Sequence, residues 1–286
     1  MTPTLHNTLA RYKSNTMYVV CICYTAIILA LLVLVTGYLV SIGLKSISWA
    51  FFTQVPSGDV TDPGGMKHAI AGTAFLIGLA SLIGIPIGML CGVYLSEYDT
   101  GSWLAAPVRF VSDVLAGVPS IVVGILGYEL LVVPLGHYNG WAGAAALAFI
   151  MIPIVTRTSE EMLRLVPDSY RQASIALGAT KARTIWKVVV PAATGSLVTG
   201  VMLAMARVAG ETAPLIFTAL GSRHLTTNPN EPFPSLTAQI YEYARGPYLE
   251  QKRLAWAGII VLIALIFVLN LTIRFFASRT ARVAAH

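Results

Sequence analysis

Arg207 and Glu211 stand four residues apart in Ala206-Arg207-Val208-Ala209-Gly210-Glu211-Thr212-Ala213-Pro214, at the end of a long apolar run. A charge at the centre of a bilayer costs about 2.5–3.5 kcal/mol on insertion scales, so such residues face protein or water. The spacing predicts one shared helix face and mutual reach. Two chemistries follow. One is a structural ion pair that locks helix packing. The other is an anion site, because a guanidinium presents a planar fork of donors matched to phosphate-type oxygens. Glu211 would then orient the fork, or accept a proton from a protonated oxyanion and so disfavour a fully deprotonated one such as sulfate. Arg157, closing an earlier apolar run, is either a positive-inside anchor or a cationic point on an anion's exit path. Glu129 is expected near the outer end of its span, and Asp113 at a helix start.

Other chemistries find no support in the residues. Gly178-Ala179-Thr180-Lys181 does not fit a phosphate-binding loop, and neither a His-Glu-x-x-His nor a Gly-x-Ser-x-Gly occurs. The chain is therefore expected to be non-catalytic, with no cofactor of its own. Cys21, Cys23 and Cys91 lie in apolar stretches without metal-ligand spacing, and His68 and His137 are expected unliganded at the outer faces, so no metal is expected.

The elements that must position these residues are membrane spans. Only 11% of the 286 residues are charged, where a soluble domain has about a quarter, and mean hydropathy is +0.73. A spanning helix takes about 20 apolar residues. Six candidates follow, over 17–43, 67–95, 108–135, 141–156, 185–210 and 253–276, the fourth being short and borrowing residues beyond Thr156. Uninterrupted apolar runs exclude barrel strands, so the expected fold class is an all-α polytopic membrane protein. The domains expected are an N-terminal tail at 1–16, a first span at 17–43, a multi-span body at 67–276 and a C-terminal tail at 277–286. Within the body lie a polar loop at 157–191 and an external loop at 212–252 with a short helix near Ser235 to Ala244. Twelve of the nineteen Lys and Arg fall on the side of both termini and the polar loop, which puts that side in the cytoplasm. The net charge of +6 is explained by this rule rather than by nucleic-acid binding, since the basic residues are scattered among loops. Pro86, Pro119 and Pro153 are expected to kink spans. Glycines at 72, 78, 84, 88 and 92 form a helical row that lets helices approach closely.

The polar loop is the most informative stretch. Gln172-Ala173-Ser174 is followed by Gly178 and, after nine residues, by Val188-Val189-Val190-Pro191. Small residues predict a short helix with a smooth face, which Gly178 ends in the left-handed conformation before a second helix begins near Thr180. This loop resembles the signature cytoplasmic loop of permease subunits of ATP-binding-cassette importers, whose pattern is Glu-Ala-Ala, three residues, Gly, nine residues, then an aliphatic residue, a spacer and Leu-Pro. The spacing is intact; Gln172, Ser174 and Val190 depart from the pattern. The resemblance implies a type I importer permease with a coupling helix, in which Gln172, Ala173, Ser174, Gly178 and Pro191 form the ATPase-coupling element that docks in a groove of the ATPase.

Four further runs resemble the phosphate-specific branch of that family, over nearly all of the chain from about Ala50 onward. They are Pro119-Ser120-Ile121-Val122-Val123-Gly124, Gly140-Trp141-Ala142-Gly143, Pro153-Ile154-Val155-Thr156-Arg157-Thr158, and Ala206 to Leu220. This resemblance implies that Arg157 and Arg207 serve phosphate translocation and that Glu211 belongs to the same membrane motif. It also implies a complex with a sister permease, a dimer of ATPase subunits and an external phosphate-binding protein, in a bacterial or archaeal cell membrane. Rival readings are a permease for another oxyanion, molybdate or sulfate, and a membrane enzyme or sensor on a transporter-like body.

Overall fold

The computed structural model describes residues 5–59, 64–98 and 103–283. Residues 1–4 of the expected N-terminal tail and 284–286 of the C-terminal tail lie outside them, as do the side chains of Arg11, Arg279 and Arg282. Regular structure among the described residues is helical, apart from one isolated bridge between Leu220 and Phe233.

Helix α1 (Leu5–Ser46) leaves most of its apolar side chains exposed and packs on the last helix through Gly43, beside Ile260, and an edge-on Tyr38–Trp256 pair. A short α2 (Trp49–Thr53), capped by the Ser48 hydroxyl, turns the chain and buries Phe51. Helix α3 (Lys67–Val93) is the second span; Pro86 sits inside it, and a π-turn at Tyr94–Tyr98 extends it.

The expected third span is not one helix. α4 (Ala105–Gly117) and α5 (Ser120–Gly127) meet at 104°, and α5 continues through a π-turn at Tyr128–Val132 into α6 (Val133–Leu135). The cause is Pro119: its ring excludes the preceding residue from helical backbone, and Val118 is extended with ψ 132. Asp113 therefore lies inside α4 rather than at a helix start.

The fourth span is α7 (Gly140–Arg164), started by Asn139, whose side chain accepts from Ala142 N at 2.8 Å. It runs two turns past Thr156 because Arg157, Glu160, Glu161 and Arg164 pair along one face. The polar loop holds α8 (Asp168–Ala176) and α9 (Lys181–Thr184). Gly178 has φ +85, and Thr180 caps α9. A π-turn (Ile185–Val189) precedes α10 (Val190–Ala209), where Pro191 removes a backbone donor. After α10 come α11 (Ala213–Thr218), α12 (Leu236–Arg245) and α13 (Leu249–Val283). The external segment expected at 212–252 thus begins with a helix packed inside the bundle against α5 and α7. Likewise α1 begins inside the expected N-terminal tail, and α13 continues into residues expected as C-terminal tail.

Among the described residues five helices are long and apolar enough to cross a membrane, or six if the bent α4–α5 pair makes one crossing. The central helix is α7, and among the described residues its seam with α3 is the most extensive in the bundle. A Cβ on Gly88 would lie 3.0 Å from Ile152 O, and one on Gly92 would lie 2.9 Å from Thr156 O. Only residues without a side chain allow backbones this near. The pairing of Gly84, Gly88 and Gly92 with Met151, Val155 and Ser159 also means that α3 and α7 run parallel.

Candidate functional site

Depth in the bundle follows from helix contacts. Gly200 of α10 abuts Thr158 of α7, and the two helices run in opposite directions. At 1.5 Å per residue, Arg207 lies about 10 Å further from the polar loop, level with Met151. Met151 is fully buried midway along α7, in the core formed with Ala204, Met205 and Val208. Arg207 is thus at mid-depth of the bundle.

α10 stops at this level. Gly210 caps it, donating to Arg207 O at 3.1 Å, while Glu211 N donates to Val208 O at 3.1 Å. The chain crosses Gly210-Glu211-Thr212 in non-helical form and resumes as α11. Broken helices at mid-depth are tolerated where protein satisfies their backbone. Here Thr237 of α12 reaches in to donate to Glu211 O at 2.9 Å.

The break corrects the expectation of a shared helix face. Residues four apart meet only while the helix continues, and α10 ends two residues before Glu211. Among the described residues Arg207 and Glu211 form no ion pair with one another, and no hydrogen bond or ion pair engages the Arg207 guanidinium. It is exposed at the bundle surface, and Glu211 is half-buried. Gly124 of α5 lies against Pro214 and Phe217, and Gly127 against Thr218 and Ala146. The start of α5 at Ser120 therefore falls at much the same level as Arg207, a second helix end created by the bend.

Arg157 stands differently. Its Nε lies 2.9 Å from Glu161 and 3.9 Å from Asp113, and its Nη1 lies 3.9 Å from Glu160. It is a partnered cation in an acidic group, six residues nearer the polar loop than Met151. At the centre of the group is Glu160, 3% exposed, whose Oε1 accepts from Arg109 Nε at 2.7 Å and Arg164 Nη2 at 2.8 Å. Sequence reasoning missed this group. Its signal was available in Arg157-Thr158-Ser159-Glu160-Glu161-Met162-Leu163-Arg164, which carries opposite charges at helical spacing but was assigned to the loop. Glu129 is exposed in the turn after α5.

In the polar loop, Gln172 and Ala173 are exposed on α8, and Ser174 exchanges a 2.9 Å hydrogen bond with Thr184. Tyr170, Ile175 and Leu177 project from the same loop, Leu177 being 90% exposed. Pro191 is exposed at the start of α10. A hollow of about 380 Å³ lies between the end of α11 and α12, lined by Ile216, Ser235, Gln239, Glu242 and Arg245 among others. Neither Arg207 nor Glu211 lines it, so the geometry at mid-depth, not this hollow, defines the candidate site.

Residues 84–282 match the family described as "Binding-protein-dependent transport system inner membrane component". The chain is 44% identical over 232 residues to the phosphate transport system permease protein PstA of Yersinia pestis, covering 81% of this chain and 79% of that protein. It is 34% identical over 276 residues to the probable phosphate transport system permease protein PstA of Methanocaldococcus jannaschii, covering 96% and 97%. In fold it resembles a chain of a bacterial ABC transporter that imports the acidic polysaccharide alginate. That match has a TM-score of 0.62 at 15% identity and covers 95% of this chain and 98% of the other. A chain of the MetNI methionine ABC transporter in an inward-facing conformation matches with a TM-score of 0.56 at 21% identity, covering 77% and 94%.

Proposed function

Because the chain belongs to the binding-protein-dependent transport system inner membrane component family, and within it to the PstA-type phosphate permeases, we infer that Arg207 is the cation that handles phosphate along its path. The chain is a multi-pass permease subunit of an ATP-driven phosphate importer and works in a complex with an ATPase and other subunits. The single observation that supports the finer reading is a guanidinium at mid-depth, unpaired among the described residues, beside the break between α10 and α11. A cation without a protein partner in that position is tolerable only at water or at a subunit seam. An oxyanion there meets a planar donor fork. Glu211, one step outward, is an acceptor for a protonated phosphate oxygen, and Arg157 is a partnered cation on the way out. A path needs two walls, so we assign the missing one to a sister permease, and delivery to an external phosphate-binding protein.

α8 is the coupling helix on this reading. Its exposed Gln172 and Ala173 and the apolar Tyr170, Ile175 and Leu177 dock on a cytoplasmic ATPase dimer; Gly178 and Pro191 set the turn and the return to the membrane. ATP is hydrolysed on that partner, this chain carries no catalytic residue, and both termini are cytoplasmic.

The experiment is reconstitution of the tagged chain with its co-purifying subunits in proteoliposomes. Unlabelled phosphate is expected to compete with labelled phosphate for ATP-dependent uptake, while sulfate and molybdate do not. Equal competition by sulfate would refute the acceptor role of Glu211.

A further inference from the structure

Arg171 lies on the side of α8 that turns toward the bundle, away from the exposed Leu177. A guanidinium has five N–H donors, and every one meets an acceptor. Nε donates to Glu97 Oε2 at 3.0 Å and Nη2 to Glu97 Oε1 at 2.6 Å. Nη2 also donates to Leu163 O at 3.0 Å, and Nη1 to Val166 O at 2.6 Å and Asp168 Oδ1 at 3.0 Å. Glu97 is 5% exposed, in the turn that extends α3. The hydrogen bonds that Arg171 donates to Glu97 raise its pKa further above the ordinary arginine value.

The setting gives this contact a consequence. α8 buries none of its own side chains. Among the described residues, α8 is tied to the bundle by the chain at either end, by packing against the π-turn at Ile185–Val189 that leads into α10, by the Ser174–Thr184 bond and by the Arg171 guanidinium. Only the last reaches both α3 and α7. Those two helices are packed backbone to backbone through Gly88 and Gly92, and Met151 of α7 belongs to the core beneath Arg207.

We propose that Arg171 and Glu97 are positioning residues for energy transfer, a clamp that makes α8 and the loop-side ends of α3 and α7 move as one body. A displacement of α8 then reaches the mid-depth break instead of being absorbed by the links at Leu165–Pro167 and Leu177–Thr180. This rests on the reading of α8 as the ATPase-docking helix. A lysine in place of Arg171 retains the charge but places three donors at one point, and cannot bridge two carboxylate oxygens and two carbonyls together.

The test uses the whole complex in proteoliposomes, with ATP hydrolysis and phosphate uptake measured on the same vesicles. Arg171→Lys and Glu97→Gln are expected to retain the ATPase and to hydrolyse ATP within about twofold of wild type, while phosphate moved per ATP falls about tenfold or more. Glu250→Gln, which breaks an exposed pair with Arg253, should leave the ratio unchanged. A ratio that stays constant in both clamp variants overturns the proposal, whether or not overall rates fall. If Arg171→Lys sheds the ATPase, Glu97→Gln decides, since Glu97 is not on α8; shedding in that variant also overturns transmission in favour of a docking-shape role. The docking reading has its own arm. Leu177→Glu should release the ATPase, and a complex that keeps it refutes docking through α8 independently of the clamp.

Discussion

Replacing Arg207 by glutamine separates a substrate site from a structural ion pair by sign as well as by size. Were Arg207 bonded to Glu211, the substitution would strand a carboxylate inside the bundle and cost about 3–5 kcal/mol of stability. In this structure α10 ends at Ala209, and among the described residues no hydrogen bond or ion pair engages the guanidinium, so none is broken by its loss. The expected change in stability is therefore within about 1 kcal/mol. Transport is different. A hydrogen bond to a charged group contributes about 1.5–3 kcal/mol, and glutamine retains one neutral donor group in place of the two-pronged cation. A net loss of about 3 kcal/mol at the barrier lowers the rate roughly a hundredfold. The assay is uptake of labelled phosphate per assembled complex, paired with thermal unfolding of the same preparation in detergent. A double-mutant cycle with Glu211→Gln should give a stability coupling near zero. A melting point lowered by several degrees, with normal uptake per folded complex, would refute the reasoning and establish the pair as structural.

The acidic group around Arg157 leads to the opposite expectation. Glu160→Gln leaves Arg109 (26% exposed) and Arg164 (53% exposed) facing a neutral amide in place of a buried carboxylate, and should destabilise the chain by about 1.5–3 kcal/mol. Glu161→Gln, at a half-exposed pair with Arg157, should cost less than about 1 kcal/mol; equal melting shifts for the two would contradict this arrangement. On α12, burial pushes the Tyr243 hydroxyl above the ordinary tyrosine value of 10.0, although Arg223 acts in the opposite direction. Above that pH the unfolded chain loses its proton first and binds fewer protons than the folded one, so stability falls as pH rises. Tyr243→Phe should remove that part of the alkaline loss, as followed by pH-dependent unfolding.

The membrane class and the two-helix form of the polar loop were legible without coordinates, for local reasons. Apolar length predicts spans, and Gly178 marks a left-handed stop that the structure has at φ +85. Gly84, Gly88 and Gly92 announced close packing, though not that α7 was the partner. The bent third span was half legible: Pro119 predicted a kink, but a 104° turn needed the extended Val118 and a place for α5 against α11.

What the linear chain determined by itself was composition, span length and turn chemistry, which depend on residues within a few positions of one another. What the tertiary structure decided was partnership. Arg207 and Glu211 look paired when a continuous helix is assumed, and they part because Gly210 and Thr212 interrupt it. Arg171 looks like one more loop cation, yet it closes on Glu97, 74 residues away. Charge pairing depends on distance in space, and a sequence carries that distance only where the backbone between two residues is regular.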